Sequence, residues 1–161
     1  MLQVVKVRLY PNHEQQELLE QSFGNCRFVW NWGLNQINTT YKETGKGISS
    51  YDIKKRLPEL KKEFDWLKLT YSQCLQQVCI NLGTAFKNFF EKRAKYPRFK
   101  SKHGKQSIQY PQNVTIDANV LKLPKIGEVK AVIHRAIEGK VKTVTVSRNC
   151  SGQYYASVLF E

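Results

Sequence analysis

The chain has 161 residues, 41% of them hydrophobic and 12% aromatic, with 26 Lys or Arg against 13 Asp or Glu and a formal net charge of +13. This is enough apolar material for one cored domain, or for a compact domain with a second inserted into it, and it excludes a disordered tail. The charge calls for an acidic partner, and the lack of an apolar run of roughly 18 residues or of an apolar leader predicts a chain that neither spans a membrane nor is exported.

Near the start, Val5, Val7 and Leu9 alternate with Lys6 and Arg8, which predicts a strand. Pro11 ends it, Asn12 caps a helix, and Gln15 completes a capping-box spacing. The apolar period predicts a helix to about Ser22, a break near Gly24, and a second helix from Asn25 to about Lys42 along Cys26, Trp30, Leu34, Ile37 and Tyr41. Gly45 and Gly47 stop it. Ser49 to Asp52 caps a short helix carrying Ile53, Leu57 and Leu60, with a break at Pro58. Thr70 and Gln73 repeat the capping-box spacing and open what reads as the longest helix. Its Leu75, Val78, Cys79, Leu82, Phe86, Phe89 and Phe90 make a broad apolar stripe.

After Pro97 the period drops from about 3.6 to 2, and short strands follow to the end of the chain, divided by Asp117–Asn119, Lys125–Gly127, Ile137–Lys140 and Asn149–Gly152. A lone first strand needs a sheet to join, and only the C-terminal half offers one. The expectation is an α+β chain: a small β-barrel from residues 1–10 and 96–161, with a helical domain of residues 11–95 inserted in it.

Residues 85–110 hold Lys87, Lys92, Arg93, Lys95, Arg98, Lys100, Lys102 and Lys105 against Glu91 alone, which is more than half of the net charge. Tyr96, Phe99 and His103 interleave with them, so cations can pair with phosphates while rings stack on bases; a solvated face is the plainer alternative. Catalysis has no comparable signal. The carboxylates are scattered, His13, His103 and His134 fall in different elements, and no phosphate-cradling glycine loop occurs. Cys26, Cys74, Cys79 and Cys150 form no C-x-x-C pair, which predicts buried free thiols in a reducing compartment, with no metal and no cofactor. Gln73, Gln76 and Gln77 leave the first turns of the last helix beside Ser72, where a glutamine amide can pair with an adenine edge. Ordinary surface glutamines are the competing reading, as a simple turn is for Tyr110–Asn113.

Several runs in order, RLYPNHEQQELLEQSFGNCRFVWNWGL, YKETGKG, LKKEFDWL, SQCLQQ, AFKNFF, YPRFKSKHGKQS, LKLPKIGEVK, IEGKVKTVTVSR and GQYYASVLFE, together resemble the N-terminal half of TnpB proteins. These are transposon-encoded, RNA-guided DNA nucleases of the OrfB type. The resemblance covers essentially the whole chain and implies a wedge-like β-barrel interrupted by a helical recognition domain, with a guide RNA and double-stranded DNA as partners. It further implies that a short transposon-adjacent DNA motif is read by Ser50, Tyr51 and Lys54, by Ser72, Gln73 and Gln76, and by Tyr110 and Gln112. The basic segment from Lys87 to Lys105 then grips the RNA scaffold and the duplex backbone. Family members continue into a RuvC-like nuclease domain with an Asp/Glu/Asp metal site and a zinc ribbon, and no position here matches those carboxylates. The expectation is therefore binding without cutting, in the cytoplasm at the nucleoid, with a separate or downstream RuvC-like unit as a further partner. An RNA-independent, helix-turn-helix-like accessory domain, one half of a split nuclease, and a decayed copy are the alternatives.

Overall fold

The computed structural model describes residues 1–161. Strand β1 (Gln3–Tyr10) leads into helix α1 (His13–Thr44), the short helices α2 (Ser50–Lys55) and α3 (Leu57–Glu63), a 3-10 turn (Asp65–Leu69) and helix α4 (Ser72–Phe90). Six strands follow: β2 (Gln106–Tyr110), β3 (Thr115–Asp117), β4 (Val120–Leu123), β5 (Gly127–Val132), β6 (Val141–Arg148) and β7 (Tyr154–Phe160).

The capping box at the start of α1 forms as its spacing predicts. Asn12 Oδ1 accepts from the Gln15 amide at 2.9 Å, and the Asn12 amide donates to Gln15 Oε1 at 3.0 Å. The expected break near Gly24 does not occur; α1 runs unbroken to Gly45, whose left-handed φ of 72° ends it. A helical glycine costs about 1 kcal/mol against alanine. Burial of Leu19, Phe23, Cys26, Val29, Trp30 and Leu34 along one face outweighs it, at about 1.5–3 kcal/mol for each large apolar side chain. This makes α1, not α4, the longest helix. Two other glycines set the distance between helices: a Cβ on Gly33 would meet Leu82 Cδ2 at 2.8 Å, and one on Gly83 would meet Ser50 Cβ at 2.6 Å.

The second capping box is not made. The N-cap of α4 is Tyr71, without a side-chain cap bond. Thr70 is instead buried, and its hydroxyl accepts from Asn25 Nδ2 at 2.9 Å. Asn25 is buried too and would otherwise lose a partner, a larger penalty than an uncapped helix end open to water.

All seven strands form one antiparallel sheet in the order β2-β6-β7-β1-β5-β4-β3. The first strand thus joins the far end of the chain and lies centrally, with Val5 opposite Val158, Val7 opposite Ala156 and Leu9 opposite Ala131. The sheet is open and the expected barrel is not formed. Closure would require β2 to pair with β3. The helices occupy the end of the sheet where β2 lies: Arg27 Nη1 donates to Gln106 Oε1 at 2.8 Å, and Asn81 Nδ2 donates to Gln109 Oε1 at 2.9 Å. At the other end, β3 has only three residues to offer. One continuous apolar core runs from the helices into the inner sheet face, where Val7, Leu121, Val129, Val144 and Val158 are buried.

Candidate nucleic-acid interface

From Glu91 to Lys105 the chain has no regular structure, yet it is fastened along α1 by side chains of that helix. Trp30 Nε1 donates to the Arg98 carbonyl at 2.8 Å. Asn31 grips Lys100 twice, donating to its carbonyl at 3.0 Å and accepting from its amide at 2.8 Å. Tyr96 donates to Asn38 Oδ1, and its ring meets Phe86 and Phe89 edge-on at 5.2 and 5.1 Å. Anchoring backbone groups in this way turns most of the side chains outward.

The seven cations of the segment, and Lys87 just before it at the end of α4, consequently divide. Lys100 Nζ sits 4.0 Å from the centre of the Trp30 ring; although the residue is exposed overall, local desolvation lowers the ammonium pKa from its ordinary value. Arg93 pairs with Glu91, and Lys87 lines an apolar groove. Lys92, Lys95, Arg98, Lys102 and Lys105 are exposed and enter none of the chain's ion pairs. A cleft of about 340 Å³ lies beside this segment, with Lys100, His103 and Lys105 on one side and Val78 and Asn81 of α4 on the other.

On α4, helical spacing puts Gln73, Gln76, Ile80, Gly83 and Lys87 on one stripe. Both glutamines are half-buried. Gln77 does not share that stripe: it donates to Asn81 Oδ1 at 2.9 Å, and Asn81 continues the chain to Gln109 of β2. The helix start and the β2–β3 turn meet, since Tyr71 stacks on Tyr110 at 6.2 Å and Asn113 Nδ2 donates to the Tyr71 hydroxyl. Half-buried Ser72 and exposed Gln112 therefore flank one junction. Tyr110 itself is 1% exposed, its hydroxyl pKa raised chiefly by burial, so its ring serves the core.

Ser50, Tyr51 and Lys54 stand apart from that junction, on α2. Ser50 lies against Gly83 further along α4, and Tyr51 is 59% exposed with Lys55 Nζ at 4.4 Å and Lys54 Nζ at 5.9 Å from its ring centre. Between them and the segment is an apolar groove of about 670 Å³ that includes Tyr41, Ile48, Ile80, Phe90 and Tyr96. Three of the four thiols are buried as expected, whereas Cys150 is exposed in the β6–β7 turn. No helix is long and apolar enough to cross a membrane.

Sequence reasoning missed the anchors Trp30, Asn31 and Asn38. Trp30 registered only as a member of an apolar stripe, and the two asparagines carry no signal until their partners, about 60 to 70 residues away in the chain, are known. It also missed the outer face of the sheet, where Lys6, Arg8 and Tyr10 alternate outward beside Tyr155.

Residues 1–46 match a family model described as a helix-turn-helix domain of the OrfB IS605 type. In the structure this stretch is β1 and the unbroken α1, one strand and one helix. Over 164 aligned residues the chain is 38% identical to InsQ of Escherichia coli K12, a protein whose name describes an RNA-guided DNA endonuclease. The alignment takes in 99% of this chain and 40% of that protein. The chain belongs to the TnpB/OrfB family. A Streptomyces pristinaespiralis member with the same kind of name is 36% identical, over 97% of this chain and 40% of its own length. The virulence protein VsdF of Salmonella dublin is 40% identical over 116 residues, 65% of this chain and 98% of VsdF. The chain thus spans about 40% of the length of the two family members named for RNA-guided cleavage.

Proposed function

We propose that these residues bind nucleic acid, holding a guide RNA and a DNA duplex by their phosphates while reading a short transposon-adjacent DNA motif. The observation that carries this reading is the fastened basic segment. Its backbone is tied to Trp30 and Asn31 and its Tyr96 hydroxyl to Asn38, and Lys92, Lys95, Arg98, Lys102 and Lys105 are left without a carboxylate. Such a row suits phosphates, which fix position and carry no sequence information. Motif reading is assigned to the Gln73–Gln76 stripe of α4, with Ser72 and Gln112 at its end and Ser50, Tyr51 and Lys54 across the groove. In this reading residues 11–95 act as a recognition unit and residues 1–10 with 96–161 as a wedge-like unit, working in the cytoplasm at the nucleoid. Cutting falls to a RuvC-like unit, in the same polypeptide or a separate one, and binding needs no metal or cofactor. An RNA-independent helix-turn-helix has less support, because residues 1–46 contain no pair of helices joined by a turn.

The test is a salt titration of RNA affinity with Lys95, Arg98, Lys102 and Lys105 all replaced by Ala. The slope of log affinity against log salt should flatten by ~0.7–0.9 for each phosphate no longer neutralised. An unchanged slope would show these cations to be merely solvated. In parallel, Gln76→Ala should cost roughly 1–3 kcal/mol on the preferred duplex and almost nothing on a scrambled one. Equal losses on both duplexes remove the base-reading role.

A further inference from the structure

We propose that the open face of the sheet carries a second phosphodiester-binding subsite, built on Arg8 and Lys6 and adjoining the end of the row of cations along α1 at Lys105. The inference rests on the nucleic-acid reading above and extends it to a surface made by different elements.

Strand alternation buries Val5, Val7 and Leu9 and turns Lys6, Arg8 and Tyr10 to the other face. Antiparallel pairing sets Tyr155 opposite Arg8 and Ser157 opposite Lys6, so the same face gains a ring from β7. Lys6 Nζ lies 4.4 Å from the centre of the Tyr155 ring. The Arg8 guanidinium lies 4.8 Å from the Tyr10 ring and 5.5 Å from that of Tyr155. Two aromatic neighbours thus fix its direction in advance of any ligand.

What Arg8 lacks is an acceptor. Five of the other six arginines, Arg27, Arg56, Arg93, Arg135 and Arg148, donate to a side chain of the protein, at Gln106, Gln36, Glu91, Gln3 and Glu20 respectively, and the sixth is Arg98 of the basic segment. Arg8 donates to none, and its Nε is buried without a partner. A buried donor left unpaired costs about 1–3 kcal/mol, which an incoming oxyanion near the fork offsets. Beside it opens a cleft of about 390 Å³ whose lining includes Lys105, His134 and Asn149 and no carboxylate. Lys105 is the last cation of the basic segment, so the cleft continues the surface already assigned to phosphates. Tyr10, 47% exposed, offers a ring on which a base can stack, which favours nucleic acid over an acidic peptide.

The experiment compares the unaltered chain, Lys6→Ala with Arg8→Ala, and Arg8→Lys alone, by fluorescence anisotropy on a single-stranded RNA and on a DNA duplex across a salt series. Circular dichroism melting reports the fold, and Arg8→Lys, which keeps the charge and the strand, guards against a misfolded double variant. The double variant should bind RNA, duplex or both about tenfold more weakly, with a salt slope flatter by ~0.7–0.9 for each phosphate no longer neutralised. Arg8→Lys should keep the slope and lose affinity several-fold, because it keeps the charge and loses the fork. Separately, titrating inorganic phosphate into the unaltered chain should move the Arg8 Nε–H resonance. This readout stands even if no nucleic acid binds. Unchanged affinity in both variants, with a segment variant that replaces only Lys95, Arg98 and Lys102 by Ala still impaired, overturns this inference alone. An unmoved Arg8 signal, or polyglutamate displacing RNA through Arg8 as well as RNA itself binds, also overturns it.

Discussion

Between Glu91 and Lys105 the cations sit on a chain without regular structure, whereas Lys6 and Arg8 sit on the central strand of a seven-stranded sheet. The two surfaces are made rigid by opposite means. In the segment, side chains of α1 hold the backbone and leave the cations free. On the sheet, ladder hydrogen bonds hold the backbone, and aromatic rings hold the cations. A positively charged stretch is therefore organised by whatever satisfies its backbone. Without Trp30 and Asn31 the segment has no internal partners to replace them, while β1 would keep its ladders to β5 and β7 whatever happened to Lys6.

Trp30→Ala should disturb the segment most. Trp30 is 8% exposed, holds the Arg98 carbonyl and lies under Lys100, so the substitution removes core volume and an anchor together. The expected loss is about 3–5 kcal/mol in urea unfolding, with faster tryptic cleavage between Lys92 and Lys105. Trp30→Phe separates the two effects. It should keep most of the stability and still expose the segment to trypsin, and an unchanged cleavage rate would count against the anchoring role.

Alkali gives a second probe, through acids buried in the core. Burial raises the Cys26 and Cys79 thiols from 9.0 to about 12, and burial together with the hydrogen bond to Glu20 raises Tyr154 from 10.0 to about 12. All three are neutral in the fold and ionise more readily once unfolded. Their contribution is complete below pH 9 and is lost as the pH climbs towards 12. Urea midpoints should be flat on the neutral side of that window and fall progressively through it. Replacing Cys26 with Ala should blunt the fall, and a profile that does not change with that substitution would refute the assignment.

The smallest effect separates the two surfaces most cleanly. Asn31→Ala removes two hydrogen bonds to the exposed Lys100 backbone, which water can replace, so stability should fall by only about 1 kcal/mol. The segment should nonetheless become more mobile, read as faster amide exchange at Lys100, while exchange in β1 stays slow. Equal acceleration in both would mean that segment and strand open as one unit.

Much of the fold was legible because it follows from neighbours in the chain. The alternation around Lys6 and Arg8, the Asn12–Gln15 box, the stop at Gly45 and the division of α2 from α3 before Pro58 all depend on residues a few positions apart. Gly24 misled for the same reason. Its local cost is real, but the burial that outweighs it comes from helices and strands distant in sequence. The family could be read as well, since it resides in the order of side chains.

The candidate site was legible only in outline. Charge concentration is additive along the chain, so the basic segment announced itself. Which of its cations remain free was decided by Trp30, Glu91 and the groove beside Lys87. The same holds for Tyr110, which reads as an available ring and is a core residue, and for Gln77, which reads like Gln76 and is tied to β2. The order of residues alone was enough to specify most of the elements, the first helix cap, the place of the charge and the kinship. It took the packed molecule to establish that the sheet stays open, that Arg8 has two rings and no acceptor, and which glutamines remain outward. Period and propensity act over a turn or two of chain, whereas pairing, burial and the satisfaction of a donor depend on partners that folding alone brings together.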